Sequence, residues 1–574
     1  MPKVLIASVF FLGALCVSAQ EMPTPYELSG KKRTATYDEC VAWYQSLNKK
    51  FPKYSSFESI GLSDGGNPIY VFRIFGDNPS NKLKLLINNN IHPGEPEGTD
   101  ASMLFCRDLL FNTKRQNELQ SIDIHVICQY NTDGSRNQSC CTRANQNGPE
   151  NQGFRGNARN LDLNRDFIKS DSRNARAFAT YFSKHKFDFF IDNHTSNGAD
   201  YQYVLTYFHT RPEKLSAPLN STILRLDSAL KKDLLSRGWP TAPYVETMKT
   251  VPDSGIHAFW ETGRYATGYA ALHHCMGFTV ETHMLKPFNQ RVDATLAFLN
   301  SFTQSVIPLK AEAVDFAKRV KVAGNRKAAQ KAHFEMLNFQ LDTRQFDTIS
   351  FLGYEYGYKK SEVTGLPRLY YNRSRPWTKP IKYYRYFKPT DSALIPRYYV
   401  IPFAWSEVRE RLSLNSIEYK LVSTDTLTSM RVSYIDDFET VKSPYEGHYL
   451  HYNIKTRDTI MPLMIRRGDC LVPVNQANVK FLAAVLEPRA PDSYFAWNFF
   501  DAILQQKEGF SDYVWADKAE EILKNDADLR LRFEKKREED KKFANDAWAQ
   551  WDWIYKHSDY YEKTHRLYPI GRID

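Results

Sequence analysis

What the 574 residues lack narrows the field before any motif is read. The apolar run from Val4 to Val17 is shorter than the roughly 20 residues a spanning helix requires, and no later segment qualifies, so stable membrane insertion is not expected. Lys3 before that run and Val17-Ser18-Ala19 after it make residues 1–19 an expected signal peptide, removed before Gln20 on export to a periplasmic or extracellular location. Leu15 stands where a bacterial lipoprotein signal normally has a small residue ahead of its cysteine. Cysteine is scarce: eight in all, and Cys16 leaves with the peptide. The remaining odd number keeps at least one thiol unpaired. Export permits disulfides, but the sequence fixes no pairing. Adjacent Cys140 and Cys141 are expected to be free or bonded elsewhere rather than to each other. There is no run of lysine and arginine alone and no nucleic-acid motif. The formal charge of +10, or +9 without Lys3, is spread among 66 acidic residues and describes a solvated surface, with no nucleic-acid partner expected. Repeats and low-complexity tracts are absent too, and 42% hydrophobic content is ordinary for packed cores in two to four domains.

What is present begins with helical spacing of apolar residues from Tyr37 to Lys50. Strand-like runs follow at Ser56–Leu62, Pro68–Phe75 and Lys82–Asn88, separated by turn residues such as Ser63-Asp-Gly-Gly-Asn67. Thr99–Phe111 reads as a helix, Ile122–Tyr130 as a strand, and Ala175–His185 as a helix leading into a strand at Phe187–Asp192. This alternation predicts an α/β domain, a mixed sheet sandwiched between helices. In such sheets ligands gather at the carboxyl ends of strands, and His92 and His194 are both expected just past such ends.

Four clusters carry chemistry. Asn88-Asn-Asn-Ile-His-Pro-Gly-Glu-Pro-Glu-Gly98 sets His92 and Glu95 in an H-x-x-E turn ahead of a helix, able to aim both at one metal ion. A catalytic zinc takes three protein ligands and keeps a fourth position open, so a third must come from elsewhere. Phe189-Phe-Ile-Asp-Asn-His194 ends an apolar run on an imidazole, the natural third ligand. Phe154 to Phe167 packs three arginines and several amides into a loop. It suits a substrate carboxylate, because arginine presents a planar fork, or it is a surface loop paired to Asp162 and Asp166. Gly277-Phe-Thr-Val-Glu281 ends a strand on a carboxylate, which is either a general base or an ion-pair partner.

In order, His92-x-x-Glu95, Asn131-Thr-Asp-Gly134, Arg155, Asp162-Leu-Asn-Arg165, His194 and Thr279-Val-Glu281 resemble the carboxypeptidase A family of zinc metallocarboxypeptidases. The resemblance covers roughly residues 35 to 305 and is similar to exported bacterial members with a C-terminal extension. It implies zinc on His92, Glu95 and His194, with Asp162 orienting His92. Glu281 becomes general base and proton shuttle, and Arg155 the oxyanion stabiliser. Asn164 and Arg165 grip the terminal carboxylate of a peptide substrate. Two features depart from the pattern. Asn131-Thr-Asp-Gly134 lacks the usual proline, and the tyrosine that closes over substrate is either Tyr265 or Tyr269, of which Tyr269 is favoured. Asp253, His257 and Arg264 are candidates to line the specificity pocket.

The catalytic domain is thus expected over residues 20–309. Lys310 to Phe339 leads out of it, a β-rich accessory domain spans 340–470, and helices fill 471–574. Aromatic runs such as Arg368-Leu-Tyr-Tyr371 are expected to pack a core. The alternatives to a carboxypeptidase are a cell-wall peptide amidase or endopeptidase of the same family, and an inactive zinc- or peptide-binding module.

Overall fold

The computed structural model describes residues 21–77, 82–313 and 334–574, so the expected signal peptide lies outside the described residues. Eight strands form one mixed sheet. From edge to edge they are Ser55–Leu62, Pro68–Ile74, Ile122–Ile127, Leu83–Asn88, Phe189–Ser196, Met276–His283, Leu205–His209 and Thr241–Ala242. Leu83–Asn88, Phe189–Ser196 and Met276–His283 run parallel as neighbours, so their carboxyl ends open on the same edge. The helix Tyr37–Lys50 starts on a capping box in which Thr36 and Glu39 satisfy each other's backbone N–H groups. It buries Cys40, Trp43, Tyr44 and Leu47, which are spaced three and four apart. With Glu97–Phe111, Ala217–Ser236 and Phe288–Val306 it covers one face of the sheet. Arg173–His185 and Ala266–Leu272 cover the other, giving the expected α/β/α sandwich.

The strand ending on His194 runs further than polarity suggests. Asn193, His194 and Thr195 stay in register with Val280, Glu281 and Thr282, so His194 lies within the strand rather than past its end. Polar residues there are buried against a polar cleft instead of marking a turn.

Past residue 334 a long hairpin, Asp347–Lys360 with Pro367–Tyr384, pairs in parallel with Ile256–His257 of the catalytic half. Phe351 and Ile381 are buried there, whereas Tyr356, Tyr358 and Tyr370 face solvent, so the aromatic enrichment is only partly core packing. A second, six-stranded sheet includes Thr426–Thr440, His451–Ile465, Tyr398–Ile401 and Cys470–Pro473. The tail is mostly helical, as expected, but Gly571–Ile573 returns as a strand between Tyr398–Ile401 and Thr426–Thr440. The two halves share one core: Phe178, Phe182 and Tyr269 join a continuous apolar cluster with Leu412, Phe481 and Leu486. Polar contacts close the seam. Arg264 Nε donates to Asp492 Oδ1 at 2.7 Å, and Ser183 Oγ donates to the Leu414 carbonyl at 2.9 Å.

The expectation for Cys140 and Cys141 is corrected: they are bonded to each other. The other five cysteines among the described residues, Cys40, Cys106, Cys128, Cys275 and Cys470, are free and buried in cores. The two exposed neighbours have only one another.

His273 lies in the seam, its Nε2 3.1 Å from Asn415 Oδ1 and its ring packed on Tyr269 and Phe481. Burial, helped by the neighbouring His274 charge, pushes its pKa down to about 3 from 6.5. The sign follows from proton uptake. Below about pH 6.5 the unfolded chain takes the proton and the folded one refuses it, so stability falls as pH drops from there toward 3. Thermal midpoints recorded from pH 7 to pH 4 should decline, and His273→Gln should flatten the decline; an unchanged slope would exclude His273 as a source.

Candidate active site

The three consecutive asparagines are the local device that builds the site. Asn90 takes φ +58°, a left-handed conformation that asparagine tolerates, and turns the chain so that His92 and Glu95 face the strand edge. Asn88 Nδ2 donates to Asp192 Oδ1 at 2.9 Å, and Asn89 Nδ2 donates to Ser102 Oγ and the Ile127 carbonyl. Gly98 allows the following helix to start hard against the sheet, since a Cβ there would stand 2.5 Å from Asn193 Cβ.

One ligand atom from each of His92, Glu95 and His194 falls within 4.8 Å of the other two, and all three residues are buried. Both imidazoles are anchored from outside. His92 Nε2 lies 2.9 Å from Asp162 Oδ1, and His194 Nε2 lies 2.8 Å from Asp192 Oδ2. That arrangement leaves each Nδ1 pointing inward. His92 Nδ1 is buried 3.2 Å from Glu95 Oε1, and His194 Nδ1 lies 3.1 Å from Glu95 Oε2. Two nitrogen donors, each oriented by a further carboxylate, and a carboxylate bonded by Arg143 fit the donor set of a catalytic zinc.

The electrostatics point the same way. Burial opposes charge on Glu95, yet Arg143, His92 and His194 hold its carboxyl well below the usual range. Burial likewise opposes a proton on His194, but Asp192 and Glu95 keep it there. The carboxylates that retain that proton supply a field that would favour a divalent cation in its place. Glu281 pairs with His194 across neighbouring strands, and it alone on its strand is not buried, because it opens to the cleft. Desolvation, with Glu95, Asp192 and Glu261 nearby, pushes its carboxyl up to about 8, against the pull of His194.

The cleft is a cavity of about 480 Å³ that brings together Arg155, Asn164, Arg165, the three ligand residues and Glu281. Arg155 donates from Nε to Asp162 Oδ2 at 3.0 Å and reaches within 3.6 Å of Glu95. The Asn164 Oδ1 and Thr279 Oγ1 atoms are buried without partners, as expected of walls that meet a ligand. Arg165 lies over the Tyr265 ring, 4.6 Å from its centroid.

Tyr269 is a correction. It sits within Ala266–Leu272 on the side that faces the sheet, fully buried among Phe167, Phe178 and Phe182, and its hydroxyl donates to Asn415 Oδ1 at 2.5 Å. It does not reach the cleft. Tyr265, at the N-cap of that helix, lines it. Asp253, His257 and Arg264 are likewise outside the lining, and Tyr244, Phe208, Phe259 and Glu261 take their place. Sequence reasoning also missed two groups. Asp192 stands two residues before His194, and that spacing could have flagged it. Arg143 bonds Glu95 from a loop with no periodic signal.

The sequence profile of the zinc carboxypeptidase family matches residues 40–285. The chain carries a zinc carboxypeptidase domain. Over those residues the chain is carboxypeptidase A-like, and the zinc carboxypeptidase family is one of peptide-bond hydrolases. Carboxypeptidase 2 of Trichophyton rubrum is 22% identical over 443 residues, 73% of this chain and 74% of its own. Carboxypeptidase SOL1 of Arabidopsis thaliana is 28% identical over 156 residues, 26% of this chain and 28% of its own. A crystal structure of a metallo-carboxypeptidase from Burkholderia cenocepacia superposes with a TM-score of 0.37 at 16% identity, covering 48% of this chain and 69% of that one.

Proposed function

We propose that this is an exported zinc carboxypeptidase that removes the last residue of peptides with a free terminal carboxylate. The observation that carries this reading is the pair of inward-facing imidazole Nδ1 atoms, each tied from behind by an aspartate, beside Glu95 and the cleft-facing Glu281. Export rests on residues 1–19.

His92, Glu95 and His194 would hold the zinc, which would polarise the scissile carbonyl and make water acidic enough to attack near neutral pH. Glu281 accepts a proton from the attacking water as its oxygen bonds to the carbonyl carbon. It then hands the proton to the amine nitrogen as the C–N bond breaks. Arg155 faces the oxygen on which negative charge grows, and Arg143 brings a second guanidinium to the same wall. Arg165 and Asn164 bind the substrate's terminal carboxylate, so only the last peptide bond reaches the metal.

The test uses the secreted chain loaded with zinc and matched peptides ending in a free acid or an amide. Single residues should be released from the acid, with kcat/KM roughly 10- to 100-fold lower for the amide. Arg165→Ala should abolish that difference. Equal cleavage of both peptides by the unaltered protein would remove Arg165 from its role, and zinc binding without cleavage would favour a peptide-binding module.

A further inference from the structure

The carboxylate-binding segment is held from the far end of the chain. Between the strands Thr426–Thr440 and His451–Ile465 the chain makes a tight turn, in which the Tyr445 and His448 backbones exchange hydrogen bonds of 2.7 and 3.0 Å. Glu446 and Gly447 both take positive φ at its tip, 52° and 80°. The tip enters the catalytic half. The Glu446 carboxylate accepts from the backbone N–H of Asp162 at 2.7 Å, across 284 residues of sequence. Tyr445 stands close enough to the Arg165 guanidinium to favour its charge, and the Tyr265 ring lies 4.6 Å from that guanidinium. His448 Nε2 lies 2.7 Å from Asp171 Oδ2, and Tyr445 stacks on Trp497.

Asp162 is the hinge of this arrangement. Its Oδ1 serves both His92 and the Asn164 N–H, and the 3-10 turn Leu163–Arg165 starts from it. Whatever fixes the Asp162 backbone therefore fixes Asn164 and Arg165. Nothing else in the catalytic half bonds that N–H among the described residues.

We infer that Tyr445 and Glu446, residues of the C-terminal half, are positioning residues of the substrate site: they hold Arg165 and the Asp162–Arg165 turn in the geometry that grips a terminal carboxylate. The inference rests on Arg165 being that grip. It makes the C-terminal half a structural part of the active site and gives it a task that composition does not suggest.

The experiment uses the full zinc-loaded chain and the same acid and amide peptides. For Glu446→Ala, KM for the free acid should rise about tenfold, the worth of one hydrogen bond to a charged group, and for Tyr445→Phe it should rise as well, with kcat within about twofold in both. The preference for acid over amide should fall by the same factor, while zinc content stays at the unaltered level. Glu446→Gln keeps an acceptor for the Asp162 N–H and should restore KM. Acid and amide falling together, or no change in either, would overturn the inference. Arg165→Ala separates the two levels: if it loses the preference while Tyr445→Phe keeps it, only the positioning role fails, and if Arg165→Ala keeps it, the grip itself fails.

Discussion

Glu281→Gln should lower kcat by about 10²- to 10⁴-fold while the protein keeps its zinc. The substitution preserves shape and removes the proton acceptor, in a strand whose other residues are all buried and whose backbone pairs with His194. Glu281 is suited to the task because desolvation in the cleft, with Glu95, Asp192 and Glu261 nearby, holds its carboxyl up to about 8, and a zinc ion on the neighbouring residues would draw it back down. A base needs to take a proton and give it back, so a group poised near neutrality serves both halves of the reaction. Steady-state kinetics with metal analysis on the same sample decides the matter. Near-normal turnover would assign the proton transfer to another group.

His194→Ala should cost both metal and activity. It removes one of three ligands and leaves Asp192 and Glu95 buried without the imidazole that joins them. Zinc content should fall below half at micromolar free metal, with turnover near background. The unaltered protein should also lose thermal stability on chelation, because an ion bound only by the folded state stabilises by about 2.7 kcal/mol at a hundred times its dissociation constant. For a cooperative unit of this size that corresponds to a fall in Tm of roughly 2 °C, and His194→Ala should start low and show no further fall with chelator. A variant retaining stoichiometric zinc, or a wild type indifferent to chelation, would dissolve the metal centre as drawn.

The convergence of His92, Glu95 and His194 was legible from sequence because each of its parts is set by local rules. His92 and Glu95 share one turn at a strand end, and His194 and Glu281 close apolar runs that become adjacent parallel strands. Asp162 came with the Asp-Leu-Asn-Arg order and does contact His92. What stayed hidden depends on direction or distance in space. Tyr265 and Tyr269 are four residues apart, and only the packing of Ala266–Leu272 on the sheet shows that the first opens to the cleft and the second is sealed in the core. Arg143 sits in a stretch with no periodicity, beside a disulfide whose cysteines were expected to be free or bonded elsewhere. The Glu446 contact joins residues 284 apart, and no pattern in either segment announces the other.

The shared core on the second face of the sheet has a further consequence, for how this protein comes into being. Synthesis delivers Phe182, Tyr269 and His273 more than a hundred residues ahead of Leu412 and Phe481, their packing partners. Until those arrive, the early half presents a greasy flank to its surroundings, the kind of surface that invites aggregation and calls for chaperones. Severing the connection near residues 310–334 should therefore yield insoluble fragments rather than a minimal peptidase.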